Sequence, residues 1–188
     1  MARGFRQDYL EAMSKKVSGP DQDLHARILA LLDESRVMSL ATLRPDGWPQ
    51  VTTVGYVHSD FVLYFAVAST SQKSENIRRD PRVSIAIARD PADSGCTRGL
   101  SMAARASQVI DLDEVEQIND LLAKRYPGQA MFAPRGASAV VLRAMPTIIS
   151  LVDDSRGLSR PEVFHAKAPR ASHRFRKAVP SRPPDLAG

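Results

Sequence analysis

The stretch Ala66–Ile77, AVASTSQKSENI, gathers the groups that a phosphate requires. An apolar run ends in a loop holding Ser69, Thr70 and Ser71, and Lys73 follows at the opening of a short helical segment. Hydroxyls, an ammonium group and free helix N-terminal amides converge there, which is the donor set of an anion site. The same string also fits an ordinary N-cap beside a solvated lysine. Other chemistry-bearing patterns are missing. The chain has no G-x-x-x-x-G-K-[ST], no G-x-G-x-x-G, no G-x-S-x-G and no H-E-x-x-H. Cys96, the only cysteine, falls in a turn segment without an evident base and reads as an incidental thiol. A lone cysteine excludes an intramolecular disulfide and any zinc site built on cysteine pairs. His25, His58, His165 and His173 lack the close spacings of metal ligands, and no metal is expected. Asp153 and Asp154 are adjacent in a strand pattern, so they face opposite ways and do not share a site. No residue declares itself acid, base or nucleophile. The chain therefore only binds something, or a cofactor does the chemistry.

The elements around that stretch follow from periodicity. Residues 5–17 carry Phe5, Tyr9 and Met13 at helical spacing, and Gly19-Pro20 breaks the pattern. Asp21–Glu34 is a stronger helix, with Leu24, Ile28, Leu31 and Leu32 on one face and Asp21 or Asp23 as a cap. The period then changes. Val37–Leu43 reads as a strand, Arg44-Pro45-Asp46-Gly47 as a turn, Trp48–Val57 as a second strand and His58-Ser59-Asp60 as a second turn. Phe61–Val67 is apolar throughout, as in a strand buried on both faces, and completes an expected three-stranded meander. Lys73–Asp80 is a short helix stopped by Pro81, and Arg82–Ala88 alternates as a fourth strand. Asp90–Arg98 is turn chemistry and Gly99–Ile110 a fifth strand. Asp111–Tyr126 is a helix with acids in its first turns and Lys124 and Arg125 in its last, in accord with the helix dipole. Two more strands, about 137–145 and 147–153, close the body. The expected class is mainly β with inserted helices (α+β), a six- to seven-stranded antiparallel barrel.

Charge divides the chain. Its 188 residues are 43% apolar and 25% charged, an ordinary globular balance for one domain, yet the pI is near 9.7 and the net charge +5. Residues 1–158 hold 19 Lys/Arg and 19 Asp/Glu, whereas residues 159–188 hold 7 and 2, with five of the thirteen prolines. The organisation expected is an N-terminal helical extension over 1–20, a neutral domain over 21–158, and an extended or partly disordered basic tail over 159–188. Phe175 sits among Arg174, Arg176 and Lys177, so Arg170–Arg182 could hold nucleic acid, although such charge runs are usually solvated. No apolar run approaches the roughly 20 residues that span a bilayer, and charge interrupts every apolar pair near the N-terminus. A cytoplasmic chain with no membrane partner is expected.

The order of elements, with S-x-S-x-K-S-x-N-I at Ser69–Ile77 and K-S-E-N-I-R-R-D-P-R-V at Lys73–Val83, resembles the FMN-binding split β-barrel family of pyridoxamine 5′-phosphate oxidase. The resemblance runs from about Leu24 to Leu158, and Ile149–Leu158 is similar to the closing strand and glycine turn of one flavin-binding subgroup. It implies a homodimer with FMN in a groove between subunits, its phosphate at Ser71, Gln72 and Lys73. The ring and ribityl chain would run along the second and third strands, near Thr52, Thr53 and Val54 and near Ala66 and Val67. Threonine hydroxyls can hydrogen-bond ring edges, and a small Ala66 leaves room for a flat ring; Thr52-Thr53 equally fits plain strand propensity. The flavin would carry the chemistry of an oxidoreductase, with a small-molecule substrate, a reductant and no catalytic side chain. The pattern departs from the true oxidase, whose second strand carries Arg and Lys where this chain has about Thr52 and Val57. The oxidase's Trp- and Arg-bearing end has no counterpart either, since Trp48 is the only tryptophan. Vitamin B6 oxidation is accordingly not expected. A deazaflavin coenzyme on the same fold, or a non-catalytic flavin-binding or stress module, are the alternative readings.

Overall fold

A computed structural model describes residues 20–89, 97–127, 138–154 and 161–166. The expected helix at 5–17, the turn around Cys96, and the basic segment Arg170–Arg182 lie outside them. Three helices and eight strands make up the described residues: α1 (Pro20–Glu34), β1 (Val37–Leu43), β2 (Pro49–Gly55), β3 (Val57–Ser59), β4 (Val62–Ala68), α2 (Gln72–Arg79), β5 (Arg82–Arg89), β6 (Arg98–Gln108), α3 (Leu112–Arg125), β7 (Ala139–Asp153) and β8 (Glu162–His165).

All pairings are antiparallel, in the order β2-β1-β5-β6-β7-β4-β3, with β8 on β7 off that path. The two ends of this order, β2 and β3, are separated in the chain by Tyr56 alone. One residue spans only about 3.5 Å, so the ends must lie side by side and the sheet must curl on itself. The result is a mainly antiparallel half-barrel. Inside it stand Met38 and Leu40 of β1, Leu63 and Phe65 of β4, Ile85 of β5 and Ile149 of β7, all buried. Ile28, Leu31 and Leu32 of α1 complete the same core.

The first hairpin follows its turn chemistry. Gly47 takes φ +87° and its amide donates to the Arg44 carbonyl at 3.0 Å. Helix α3 is capped as its charges require. The Asp111 carboxylate accepts from the Asp113 amide at 3.0 Å, and the Tyr126 amide donates to Leu122 at 2.7 Å.

Several expectations are corrected. Helix α1 opens on Pro20, whose missing N–H costs nothing in a first turn, so Asp23 lies inside the helix, 3.5 Å from Arg27. The second strand ends at Gly55. Tyr56 leaves the ladder because its ring is buried and its hydroxyl donates to the Leu32 carbonyl at 2.9 Å. His58 and Ser59 belong to β3, and the reversal falls on Asp60 (φ 51°) and Phe61. The three-stranded meander does not form: β2 pairs with β1, while β4 pairs with β3 and β7. The two closing strands are one strand of 15 residues, β7, with a register shift opposite Ala103/Ala104. That irregularity accommodates Pro146, which has no N–H to give a ladder. Finally, the sheet continues past Leu158. Glu162–His165 pair with Ile148–Leu151, and Phe164 meets Phe61 edge-on at 5.2 Å between ring centres.

Candidate functional site

Helix α2 packs against β1, β4 and β6, and its first residues form the candidate phosphate cradle. Ser71 is its N-cap (φ −72°, ψ 149°); the Oγ accepts from the Ser74 amide at 3.2 Å and donates to the Ala68 carbonyl at 2.7 Å. The Ser71 hydroxyl proton is therefore spent inside the protein. Gln72 gives one side-chain N–H to Asn76 Oδ1 at 2.9 Å. The helical geometry leaves the amides of Gln72 and Lys73 without intrahelical acceptors, and the positive end of the helix dipole adds to them. Lys73 is half-buried, and loss of solvent holds its ammonium below the ordinary lysine value of 10.5. An anion beside it would restore what burial removes. The donors present thus fit one phosphate group: two amides, a partly dehydrated ammonium and the Gln72 side chain beside them.

A buried amide ties this cradle to the sheet. Asn76 is fully buried; its Nδ2 donates to Thr42 Oγ1 at 2.9 Å and to Gln50 Oε1 at 3.2 Å. These bonds join α2 to β1 and β2, so the helix start and the second strand are parts of one rigid arrangement. Asn76 was legible only as part of the Lys73–Val83 string, not as the residue that bridges.

The strand residues divide by face. In the β1–β2 register Thr52 lies opposite Leu40 and Val54 opposite Met38, on the side of the core, and both are half-buried. Thr53 lies opposite Ser39 and is exposed on the outer face. The adjacent threonines thus serve different surfaces. In β4, Val67 is buried and Ala66 half-buried, opposite Val140 and Val141 of β7. Although β2 and β4 do not pair, they approach each other where the sheet ends meet. Of the two strands, β4 packs against α2 directly, while β2 is tied to it through the Asn76–Gln50 bond.

Polar residues elsewhere serve the fold. His58 sets Nδ1 2.9 Å from the Asp60 carbonyl and Nε2 3.0 Å from Asp33, joining the β3–β4 turn to the end of α1. Asp153 is buried, with Arg27 at 3.3 Å, and Arg27 also donates to Glu162 at 2.6 Å. Glu114, whose position in a first helical turn suggests a solvated acid, is buried instead. It accepts from Arg143 at 2.7 Å and from the Tyr64 hydroxyl at 3.1 Å. Among the described residues no group of three or more His, Cys, Asp and Glu could hold a metal, and no helix is long and apolar enough to cross a membrane.

Comparison with known proteins agrees with this fold. A family model described as pyridoxamine 5′-phosphate oxidase matches residues 24–153. Among solved structures, a conserved hypothetical protein from Mycobacterium tuberculosis is similar at 25% identity and TM-score 0.61, over 82% of this chain and 98% of that one. A heme binding protein from Mycobacterium smegmatis is similar at 24% identity and TM-score 0.59, over 81% of this chain and 61% of that one. A FAD-binding protein from Mesorhizobium loti is similar at 23% identity and TM-score 0.54, over 66% of this chain and 91% of that one. The last two likenesses concern the fold alone.

Proposed function

The chain belongs to the pyridoxamine 5′-phosphate oxidase family, and on that premise we propose that it is an FMN-binding oxidoreductase working as a homodimer. The observation that carries this reading is the α2 cradle: a half-buried Lys73 beside the free amides of Gln72 and Lys73, locked to β1 and β2 through Asn76. Bound FMN would supply hydride or single-electron transfer. The chain's own residues bind and orient. Lys73 and the two amides would hold the phosphate, with Ser71 and Gln72 shaping the helix start. Thr52 and Val54 from β2 and Ala66 and Val67 from β4 would hold the ribityl chain and ring. Thr53 faces outward, where a second subunit would meet it. That outer face exposes Val37 at 55% and Val51 at 64%, with Trp48 at 72% beside the first turn. Exposed apolar residues so closely grouped favour burial against another copy. The missing cations at about Thr52 of β2 and Val57 of β3 favour a reaction other than vitamin B6 oxidation.

The test is titration of the apo full-length chain with FMN, with a deazaflavin coenzyme and haemin as parallel arms. Saturable quenching of FMN fluorescence at one equivalent per subunit is the expected result. Absence of FMN binding overturns the reading, and saturable binding of haemin alone would reassign the groove to haem, the ligand class of the Mycobacterium smegmatis neighbour.

A further inference from the structure

One amide beside the cradle has donors left over. Thr42 and Gln50 are register partners on β1 and β2, and both reach the buried Asn76 of α2. A rung of two polar residues closed by a third is costly inside a protein unless each group is answered. Asn76 is answered in full. Its Oδ1 accepts from Gln72 Nε2 at 2.9 Å, and its Nδ2 donates to Thr42 Oγ1 at 2.9 Å and to Gln50 Oε1 at 3.2 Å. The bonds run in one direction, from Gln72 to Asn76 to Gln50, so each donor strengthens the next.

The open end of this chain is Gln50 Nε2. The side-chain oxygen is taken by Asn76, which fixes the amide with its NH2 group turned away from the helix bond. That group carries two N–H donors, and among the described residues nothing accepts from it. Gln50 is half-buried, so the amide is held in place yet open on one side. Its neighbours bear on what it could meet. Asn76 lies one helical turn from Gln72 and Lys73, a rise of about 5 Å. Thr52 follows two residues further along β2 on the same face as Gln50, about 6.6 Å away. Gln50 therefore stands between the phosphate cradle and Thr52.

We infer that Gln50 reads the polyol linker of the flavin, its Nε2 donating to hydroxyl oxygens between the phosphate and the ring. The site then selects for a hydroxylated linker as well as for a phosphate. A neutral amide suits this task better than a second cation, because hydroxyls carry no charge to offset the desolvation of an ammonium or guanidinium group. The inference rests on the FMN reading above and deepens it.

Titration of the full-length apo chain with FMN, riboflavin and lumiflavin, followed by flavin fluorescence, tests it. Lumiflavin keeps the ring and lacks the linker hydroxyls. The wild type should favour riboflavin over lumiflavin by about fivefold, the value of one neutral hydrogen bond. Gln50→Met keeps the length of the side chain and removes the amide. It should erase that preference, while FMN stays favoured over riboflavin as in the wild type. Equal binding of riboflavin and lumiflavin by the wild type overturns the inference without any variant, so a Gln50→Met chain that fails to fold does not shield it. A riboflavin preference that survives in Gln50→Met also overturns it, by giving the linker to other groups. A uniform loss of all three ligands in that variant does the same, since it marks a residue that only supports Asn76. In each of these cases FMN binding by the wild type leaves the cofactor reading standing. Absence of FMN binding by the wild type overturns both.

Discussion

Replacing Asn76 by alanine probes whether one buried amide holds the phosphate cradle against the sheet. Its side chain makes three hydrogen bonds: to Thr42 at 2.9 Å, to Gln50 at 3.2 Å and from Gln72 at 2.9 Å. At a net value of about 1 kcal/mol each, their loss costs about 3 kcal/mol. Thr42 is 3% exposed and would lose its donor without gaining water, which brings the total to about 3–4 kcal/mol. In a chain of this size that corresponds to a fall in Tm of about 6–16 °C. Thr42→Val removes one of the same bonds and should cost about 1 kcal/mol. Because the Asn76–Thr42 bond is lost only once, the double variant should cost about 1 kcal/mol less than the sum of the singles. Urea unfolding of the four proteins, followed by circular dichroism, measures the cycle. A cost below about 1 kcal/mol for Asn76→Ala, or strict additivity with Thr42→Val, would refute the bridging role. Where Asn76→Ala remains folded, its FMN affinity should fall although Lys73 is untouched.

Three further outcomes follow from the same structure. Glu114→Ala strands Arg143, whose side chain is 12% exposed, and should cost about 3–5 kcal/mol in urea unfolding, with Glu114→Gln less damaging because Tyr64 keeps its acceptor. Gly47→Ala meets no atom within 4 Å, so its cost is that of the φ +87° backbone alone, about 1–2 kcal/mol, and Gly47→Asn should recover part of it. For Lys73 the sign is set by burial, which disfavours the charged form. Its native-state penalty applies below the lowered pKa and lifts as pH rises through it, while FMN affinity falls over that same rise, beginning below the ordinary 10.5. A pH series of FMN titrations in which affinity stays flat up to pH 10.5 would contradict that assignment.

Local chemistry made much of this fold legible. The Arg44–Gly47 turn, the Asp111 cap and the stop at Pro81 each depend on residues within a few positions of one another, so the sequence shows them directly. Pairing between distant strands has no such local sign. Nothing in the apolar run at 62–68 says that its partner is Ala139–Ala144 rather than β2. Pro146 misled for a related reason: a proline argues against a strand interior unless a bulge receives it, and that bulge is made jointly with Ala104 of β6, 42 residues earlier in the chain. The site was legible in outline, through Ser71, Gln72 and Lys73. The Ser71 hydroxyl proves to be committed to Ala68, Thr52 and Thr53 part to opposite faces, and Asn76 acts through Thr42 and Gln50, residues that only the fold brings near. Glu114 followed the helix-dipole pattern, yet its partner Arg143 comes from β7, beyond the reach of any periodicity.

The central claim is that the start of α2 anchors the phosphate of a flavin. Comparing FMN with riboflavin, which lacks only that phosphate, isolates the claim. Equilibrium titration of the full-length protein and of Lys73→Ala with both ligands should show FMN favoured over riboflavin by tenfold or more in the wild type, about the value of one charged hydrogen-bonded contact. That preference should collapse in Lys73→Ala while riboflavin affinity stays unchanged. Equal binding of the two ligands by the wild type, or an intact preference in the variant, would contradict the account.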